Sequence, residues 1–91
     1  MNKTELINQV AENAGITKKA ADVAVTAVLD VISTSLSKGE PVKIIGFGAF
    51  EVRYHAARNG RNPQNGESMV IPASKSPAFK AGTELKAIVN N

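Results

Sequence analysis

Apolar positions recur at helical spacing from the first turn of the chain. Leu6, Ile7, Val10, Ala11 and Ala14 follow an i, i+1, i+4, i+5, i+8 pattern, with Asn2 where an N-cap belongs, Glu5 three positions on and Gly15 as a stop. This predicts a short amphipathic helix. Thr17 can cap a second, longer helix that runs to about Ser37 and is closed by Lys38-Gly39. Its one consistent polar stripe is Asp22, Thr26, Asp30, Ser33 and Ser37, and residues such as Val23, Val28, Leu29, Val31, Ile32 and Leu36 cover the rest. An apolar surface this wide needs more than one neighbour. Little chain remains to provide one, so part of the surface is expected to pack against a second copy.

At Pro41 the period changes from 3.6 to 2. Val42-Lys43-Ile44-Ile45 reads as a strand and Gly46-Phe47-Gly48 as a tight connection. Ala49 to about Arg58 reads as a longer strand, with Phe50, Val52 and Tyr54 alternating against Glu51, Arg53 and His55. Residues 58–67 contain almost every strong turn former and no large apolar residue, so they read as a loop outside any core. Ser68 to Lys75 can return as a strand with Met69, Ile71 and Ala73 on one side. The resulting hairpin has no hydrophobic face to hide at its outer end. A two-stranded ribbon of this kind is marginal alone and should stay mobile until something grips it. Phe79 is expected back in the core, and a last helix beginning near Gly82-Thr83 is expected to bury Leu85, Ile88 and Val89. The predicted architecture is α+β in one domain: residues 1–40 a helical dimerisation half, 41–82 a small antiparallel sheet with a protruding arm tipped at about 58–67, and 83–91 a closing helix. Its core and dimer residues would be Leu6, Val28, Leu29, Ile32, Leu36, Ile44, Phe47, Phe50 and Phe79.

Size strengthens the expectation of a dimer, because a chain of 91 residues buries only about 60–65 % of its unfolded surface. Composition removes most catalytic classes. There is no cysteine, His55 is the single histidine, and the acidic residues show no pairing signature, so no nucleophile, proton relay, metal set or cofactor site is expected. The N-terminus lacks an apolar signal core and no continuous apolar run approaches 18 residues, which predicts neither export nor membrane insertion and places the chain in the cytoplasm.

The net charge is +3, but its distribution says more. Residues 1–40 carry four lysines against five acids, whereas Lys43, Arg53, Arg58, Arg61, Lys75, Lys80 and Lys86 face only Glu51, Glu67 and Glu84 in residues 41–91. One end assembles the protein and the other meets a polyanion, on this reading. A two-stranded ribbon fits a DNA groove, and arginines on it can neutralise phosphates or enter the minor groove. Pro63, flanked by Arg61 and Asn62 at an exposed apex, could wedge between base pairs while its neighbours bind groove acceptors. Taken singly, each feature also has a plainer reading. An Arg-Asn-Pro sequence can be just a turn, the arginine alternation a solvated strand face, His55 a polar surface residue, and Lys80 and Lys86 solubilising charges. Phe47, Phe50 and Phe79 have apolar neighbours that favour core packing over base stacking, and Tyr54 suits an anchor at the ribbon root.

Four stretches taken together resemble a known family: Gly46-Phe47-Gly48-Ala49-Phe50, Ala56-Ala57-Arg58, Gly60 to Glu67, and Pro77-Ala78-Phe79-Lys80-Ala81-Gly82 with Leu85-Lys86. They look like the bacterial histone-like HU proteins, close relatives of integration host factor, and the likeness spans the chain. The resemblance implies an intertwined homodimer whose two β-ribbon arms embrace double-stranded DNA through the minor groove, each inserting a tip proline. HU proteins are themselves an established case of such binding. Carried over by position, Arg53, Arg58 and Arg61 would be arm contacts, Asn62, Gln64 and Asn65 polar contacts near the tip, and Pro63 the wedge. Lys3, Lys75, Lys80 and Lys86 would hold phosphates along the body. The sequence departs from the usual pattern at His55, where arginine is common, at Thr83, where lysine is common, at Val70, usually polar, and at Ser76, usually apolar. His55 beside phosphates would gain a proton as pH falls through the ordinary imidazole range, about 6.5, and tighten binding.

The function expected is that of a non-enzymatic, histone-like architectural protein. It would bind DNA with little sequence preference, favour bent, nicked or gapped forms, bend the duplex and condense the bacterial nucleoid. Its rivals are a site-specific bender like integration host factor and an assembly dimer whose arm grips RNA or an acidic protein.

Overall fold

A computed structural model describes residues 1–91. The elements in chain order are α1 (Lys3–Ala14), α2 (Lys18–Ser37), β1 (Val42–Ile44), β2 (Gly48–His55), β3 (Arg58–Arg61), β4 (Ser68–Ile71), β5 (Ser74–Ala81) and α3 (Thr83–Val89). They group into two compact units, Met1–Thr34 and Ser35–Asn91.

In the first unit the expected caps are in place. The Asn2 side chain accepts a hydrogen bond from the Glu5 N–H at 2.9 Å. Gly15 adopts the left-handed conformation, φ 66°; its N–H reaches the Glu12 carbonyl and that of Ile16 the Ala11 carbonyl, the pair of bonds that ends a helix sharply. Thr17 Oγ1 accepts from the Ala20 N–H at 3.1 Å and starts α2. Along the polar stripe of α2 the Thr26 hydroxyl donates to Asp22 at 3.2 Å. Only Ala11 and Ala21 are buried in the chain, and no large side chain is fully covered. Val28 (56 % exposed) and Val31 (67 %) leave the broad apolar face of α2 open, as expected of a surface completed by another polypeptide.

By length and composition α2 could also cross a bilayer, although it contains no continuous apolar run of that length. Its apolar residues are spread around the helix rather than consecutive. Asp22 and Asp30 lie within it, and each would be costly in hydrocarbon.

In the second unit β1, β2 and β5 form an antiparallel sheet in the order β1-β2-β5, and β3 pairs with β4 in a separate two-stranded ribbon. The Phe47 N–H bonds the Ile44 carbonyl across a turn whose third residue is Gly46 at φ 82°, the positive value a type II turn requires there. Gly48 serves a different need. A Cβ there would lie 2.6 Å from the Lys80 carbonyl oxygen and 2.7 Å from the Phe79 ring, so only glycine lets β5 approach. Phe79 packs between Phe50 and Phe47 with ring centroids 4.9 and 5.5 Å away. This aromatic cluster is the core of the unit, and half of it still faces solvent: Phe47 is 45 % exposed and Phe79 42 %.

Several expected boundaries move. The long strand does not run to Arg58; it ends at His55, and its returning partner breaks at Pro72-Ala73. Pro72 has no N–H to give the ladder, which accounts for the gap. The partners stay in phase across it, His55 opposite Ser74 below and Arg58 opposite Ile71 above. Lys75 consequently belongs to β5, a strand that extends to Ala81. Arg58 to Arg61 are not loop. They pair with Ser68–Ile71, because a ladder needs backbone groups rather than apolar side chains, and Gly60 makes room for the Ile71 side chain. The turn proper is confined to residues 62–67. Ile88 and Val89, expected to be buried, are exposed, because α3 has only seven residues and few neighbours within the chain.

Candidate nucleic-acid interface

The pairing register sorts the sheet into two unlike faces, because directly opposed residues point the same way. One face carries Ile44, Phe50 with Phe79, Val52 with Pro77, and Tyr54 with Lys75. The other carries Lys43, Ala49 and Lys80 in one row, then Glu51 with Ala78, Arg53 with Ser76, and His55 with Ser74. Lys43, Lys80, Arg53 and His55 thus share a surface on which Glu51 is the single acid. Lys43 was not among the residues singled out from the sequence. Its signal was available, since in a three-residue strand it must face opposite Val42 and Ile44. Lys43 and Lys80 also line an open cavity of about 530 Å³ together with Lys86 of α3, so three lysines converge where the sheet meets the helix.

Lys75, by contrast, lies on the apolar face. Its ammonium sits 5.9 Å from the centroid of the Tyr54 ring, close enough for a cation–π attraction. Tyr54 in turn places its hydroxyl against Gly39, where a Cβ would come within 2.8 Å of it. Tyr54 itself stays 66 % exposed. Lys3 opens α1 in the other unit.

His55 and Ser76 meet each other: the His55 Nε2 and the Ser76 hydroxyl lie 2.9 Å apart across β2 and β5.

Beyond the root, β3 and β4 pair with each other and cover no core. Arg58 shares a face with Ile71 and Met69, whereas Arg61 shares the opposite face with Asn59, Val70 and Ser68. The two arginines therefore lie on opposite faces of the ribbon. An arm seated in a groove would present a cation to each wall. Some seven residues separate His55 from the tip, about 20 Å at strand spacing.

The tip is an ordered turn. The Asn62 N–H bonds the Glu67 carbonyl at 2.8 Å and the Gly66 N–H returns to the Asn62 carbonyl at 2.8 Å. Gly66, at φ 72°, makes the left-handed step. The Asn62 side-chain oxygen accepts from the Gln64 N–H at 2.9 Å, spanning Pro63, and that of Asn65 accepts from the Glu67 N–H at 3.0 Å. Pro63, Gln64 and Asn65 are exposed at the apex. Asn62 thus shapes the turn as well as flanking the proline. No group of three or more histidine, cysteine or acidic residues comes close enough to hold a metal ion.

Residues 1–90 match the family described as bacterial DNA-binding protein. The chain belongs to this family. Within it, the chain is 64 % identical to DNA-binding protein HU of Geobacillus stearothermophilus over 89 residues, covering 98 % of this chain and 99 % of that one. Identity and coverage are the same for DNA-binding protein HU of Staphylococcus aureus. Among solved structures, an Anabaena HU–DNA cocrystal structure superposes with a TM-score of 0.90 at 49 % identity over 98 % of this chain and 97 % of that one. HU from Thermotoga maritima gives 0.69 at 36 % identity, with 98 % of each chain covered. The family's α+β fold, with helices, a small antiparallel sheet and a two-stranded arm, is the fold described above.

Proposed function

We propose that this protein is a homodimeric, histone-like architectural factor that binds double-stranded DNA with low sequence specificity and bends it. The arm is the observation that carries this reading: a ribbon with Arg58 and Arg61 on opposite faces and Pro63 exposed at an ordered tip. Nothing in the ribbon serves a hydrophobic core, and each part of it suits a DNA groove. Arginines enter the negative potential of the minor groove, and the proline ring wedges into a base step and kinks it. The cationic sheet face with Arg53, Lys80 and Lys43, and Lys86 beside it, continues the phosphate-binding surface toward the body. Dimerisation completes the open apolar faces of α2 and of the aromatic cluster, and supplies the second arm. The protein needs no cofactor and acts by binding rather than by catalysis. Its place is the cytoplasm, on the bacterial nucleoid.

Unstacking costs a few kcal/mol per step, so DNA that is already kinked spares that cost and binds more tightly. Gel-shift titrations of intact, nicked and gapped duplexes over a salt series test the reading. Gapped and nicked forms should bind tightest and every form should weaken steeply with salt. Equal affinity for all three forms would remove the bending mechanism. A strong consensus among random duplexes would favour a site-specific bender, and preferential binding of RNA or an acidic polymer at matched salt an assembly role.

A further inference from the structure

We infer that Asn65-Gly66 at the arm tip is a site of spontaneous deamidation, and that the carboxylate formed there loosens the arm from DNA. The chemistry stands on the turn alone; its consequence for binding rests on the arm reading proposed above. The chain has two Asn-Gly pairs, Asn59-Gly60 and Asn65-Gly66, and both lie on the arm. In such a pair the glycine nitrogen can reach the asparagine side-chain carbon, because no Cβ on the glycine stands in the way. Both asparagines are exposed, so access of water does not decide between them. Their glycines do. Gly60 is paired with Met69 in the β3–β4 ladder, and a Cβ on it would lie 2.8 Å from the Ile71 side chain. Its nitrogen is flanked by the partner strand, and ring closure there would first break the ladder. Gly66 lies in the turn at φ 72°, and a Cβ on it would meet nothing within 4 Å. Its N–H is held by the Asn62 carbonyl at 2.8 Å, and exposed bonds at a loop tip open at little cost.

The turn also prepares the electrophile. The Asn65 side-chain oxygen accepts from the Glu67 N–H at 3.0 Å. That donor draws electron density from the side-chain carbonyl and stabilises the oxyanion that grows on it. Once the Gly66 N–H is released and its proton is lost to hydroxide, the nitrogen lone pair bonds to the Asn65 side-chain carbon. The tetrahedral adduct collapses, the side-chain nitrogen takes a proton from water and leaves as ammonia, and a five-membered imide remains. Water opens the imide at either carbonyl, giving aspartate or its β-linked isomer at position 65. Both products put a negative charge at the apex beside Pro63, on the element that meets phosphates. A carboxylate about 7 Å from a phosphate in water weakens binding about two- to threefold, and the two arms of a dimer together about fivefold.

The test ages wild-type protein at neutral pH and physiological temperature. Samples taken over time are read by mass spectrometry with fragment-ion assignment and by binding to a gapped duplex. Asn65 should lose its amide nitrogen about tenfold faster than Asn59, whose ladder must open first, and both product isomers should form. Affinity should fall about fivefold as Asn65 is converted. Fresh Asn65→Asp should already bind about fivefold more weakly than fresh wild type. Asn65→Ser, whose hydroxyl can still accept from the Glu67 N–H, should hold whatever affinity it starts with as it ages. No conversion at Asn65, or conversion of Asn59 at the same rate, would overturn the inference, as would full affinity in converted wild type and in Asn65→Asp. Fresh wild type without salt-dependent binding would overturn the arm reading as well, and the mass record would still decide the deamidation.

Discussion

Removing the arm arginines should change how binding responds to salt by an amount the structure sets in advance. With Arg53 on the cationic sheet face, Arg58 and Arg61 on the two faces of the ribbon, and one phosphate shared among the clustered Lys43, Lys80 and Lys86, four phosphates are neutralised per protomer. A dimer neutralises eight. Each neutralised phosphate contributes about −0.9 to the slope of log K against log salt, so the slope should be about −7, and affinity should fall by about four decades between 50 and 200 mM salt. In the Arg58→Ala, Arg61→Ala double variant four of the eight are gone. The slope should drop to about −3.6 and the loss over the same range to about two decades. With the two arginines on opposite faces of the ribbon, each single variant should remove about 1.8 from the slope of the dimer. Fluorescence anisotropy with a labelled gapped duplex measures all four proteins across one salt series. A wild-type slope near zero, or a double variant that keeps the wild-type slope, would refute the assignment of the arms as the electrostatic contact. One single variant matching wild type while the other lowers the slope would show that only one ribbon face meets DNA.

The remaining expectations concern the body and the arm root. Gly48→Ala forces a Cβ to within 2.6 Å of the Lys80 carbonyl oxygen, a backbone atom that cannot swing aside; overpacking of this kind costs about 2 kcal/mol, and calorimetry should find Tm lowered by about 10 °C. An unchanged Tm would mean that β5 does not approach β2 as described. Val28→Asp places a charge on the exposed apolar face of α2 and should convert the dimer to monomer in analytical ultracentrifugation, with DNA affinity lost alongside; a variant that stays dimeric would move the interface elsewhere. His55 shares its face with Arg53 and its Nε2 lies 2.9 Å from the Ser76 hydroxyl. His55→Ala should weaken DNA binding in the same anisotropy assay, and an unchanged affinity would place His55 away from DNA.

The helical part was legible in the sequence because its signals are local. Asn2, Gly15 and Thr17 act within three or four residues of themselves, and the structure shows their bonds. The apolar excess of α2 was equally plain. What escaped notice depends on pairing between distant segments. Asn59-Gly60 carries the composition of a turn, yet its backbone is recruited into the ladder by Met69 and Val70 opposite, and only the partner strand reveals that. Pro72 was visible in sequence, but the break it causes at Ala56-Ala57 lies on the other strand. Lys43 joined the cationic face through a register spanning three strands, and Lys75 left it for Tyr54 by the same rule. The resemblance to the HU family named the arm and its proline; it did not supply the side-chain bonds of Asn62 and Asn65, which exist only once the turn is closed.

The most direct test of the account is the shape of DNA in the complex. A duplex of about 30 base pairs, labelled at both ends and saturated with protein, should show a large rise in energy transfer as two arms kink it. Pro63→Ala should remain dimeric and bound, with energy transfer falling most of the way back toward that of free DNA. An end-to-end distance as short with Pro63→Ala as with wild type, or unaltered by either protein, would contradict a DNA bender that works through its proline-tipped arms.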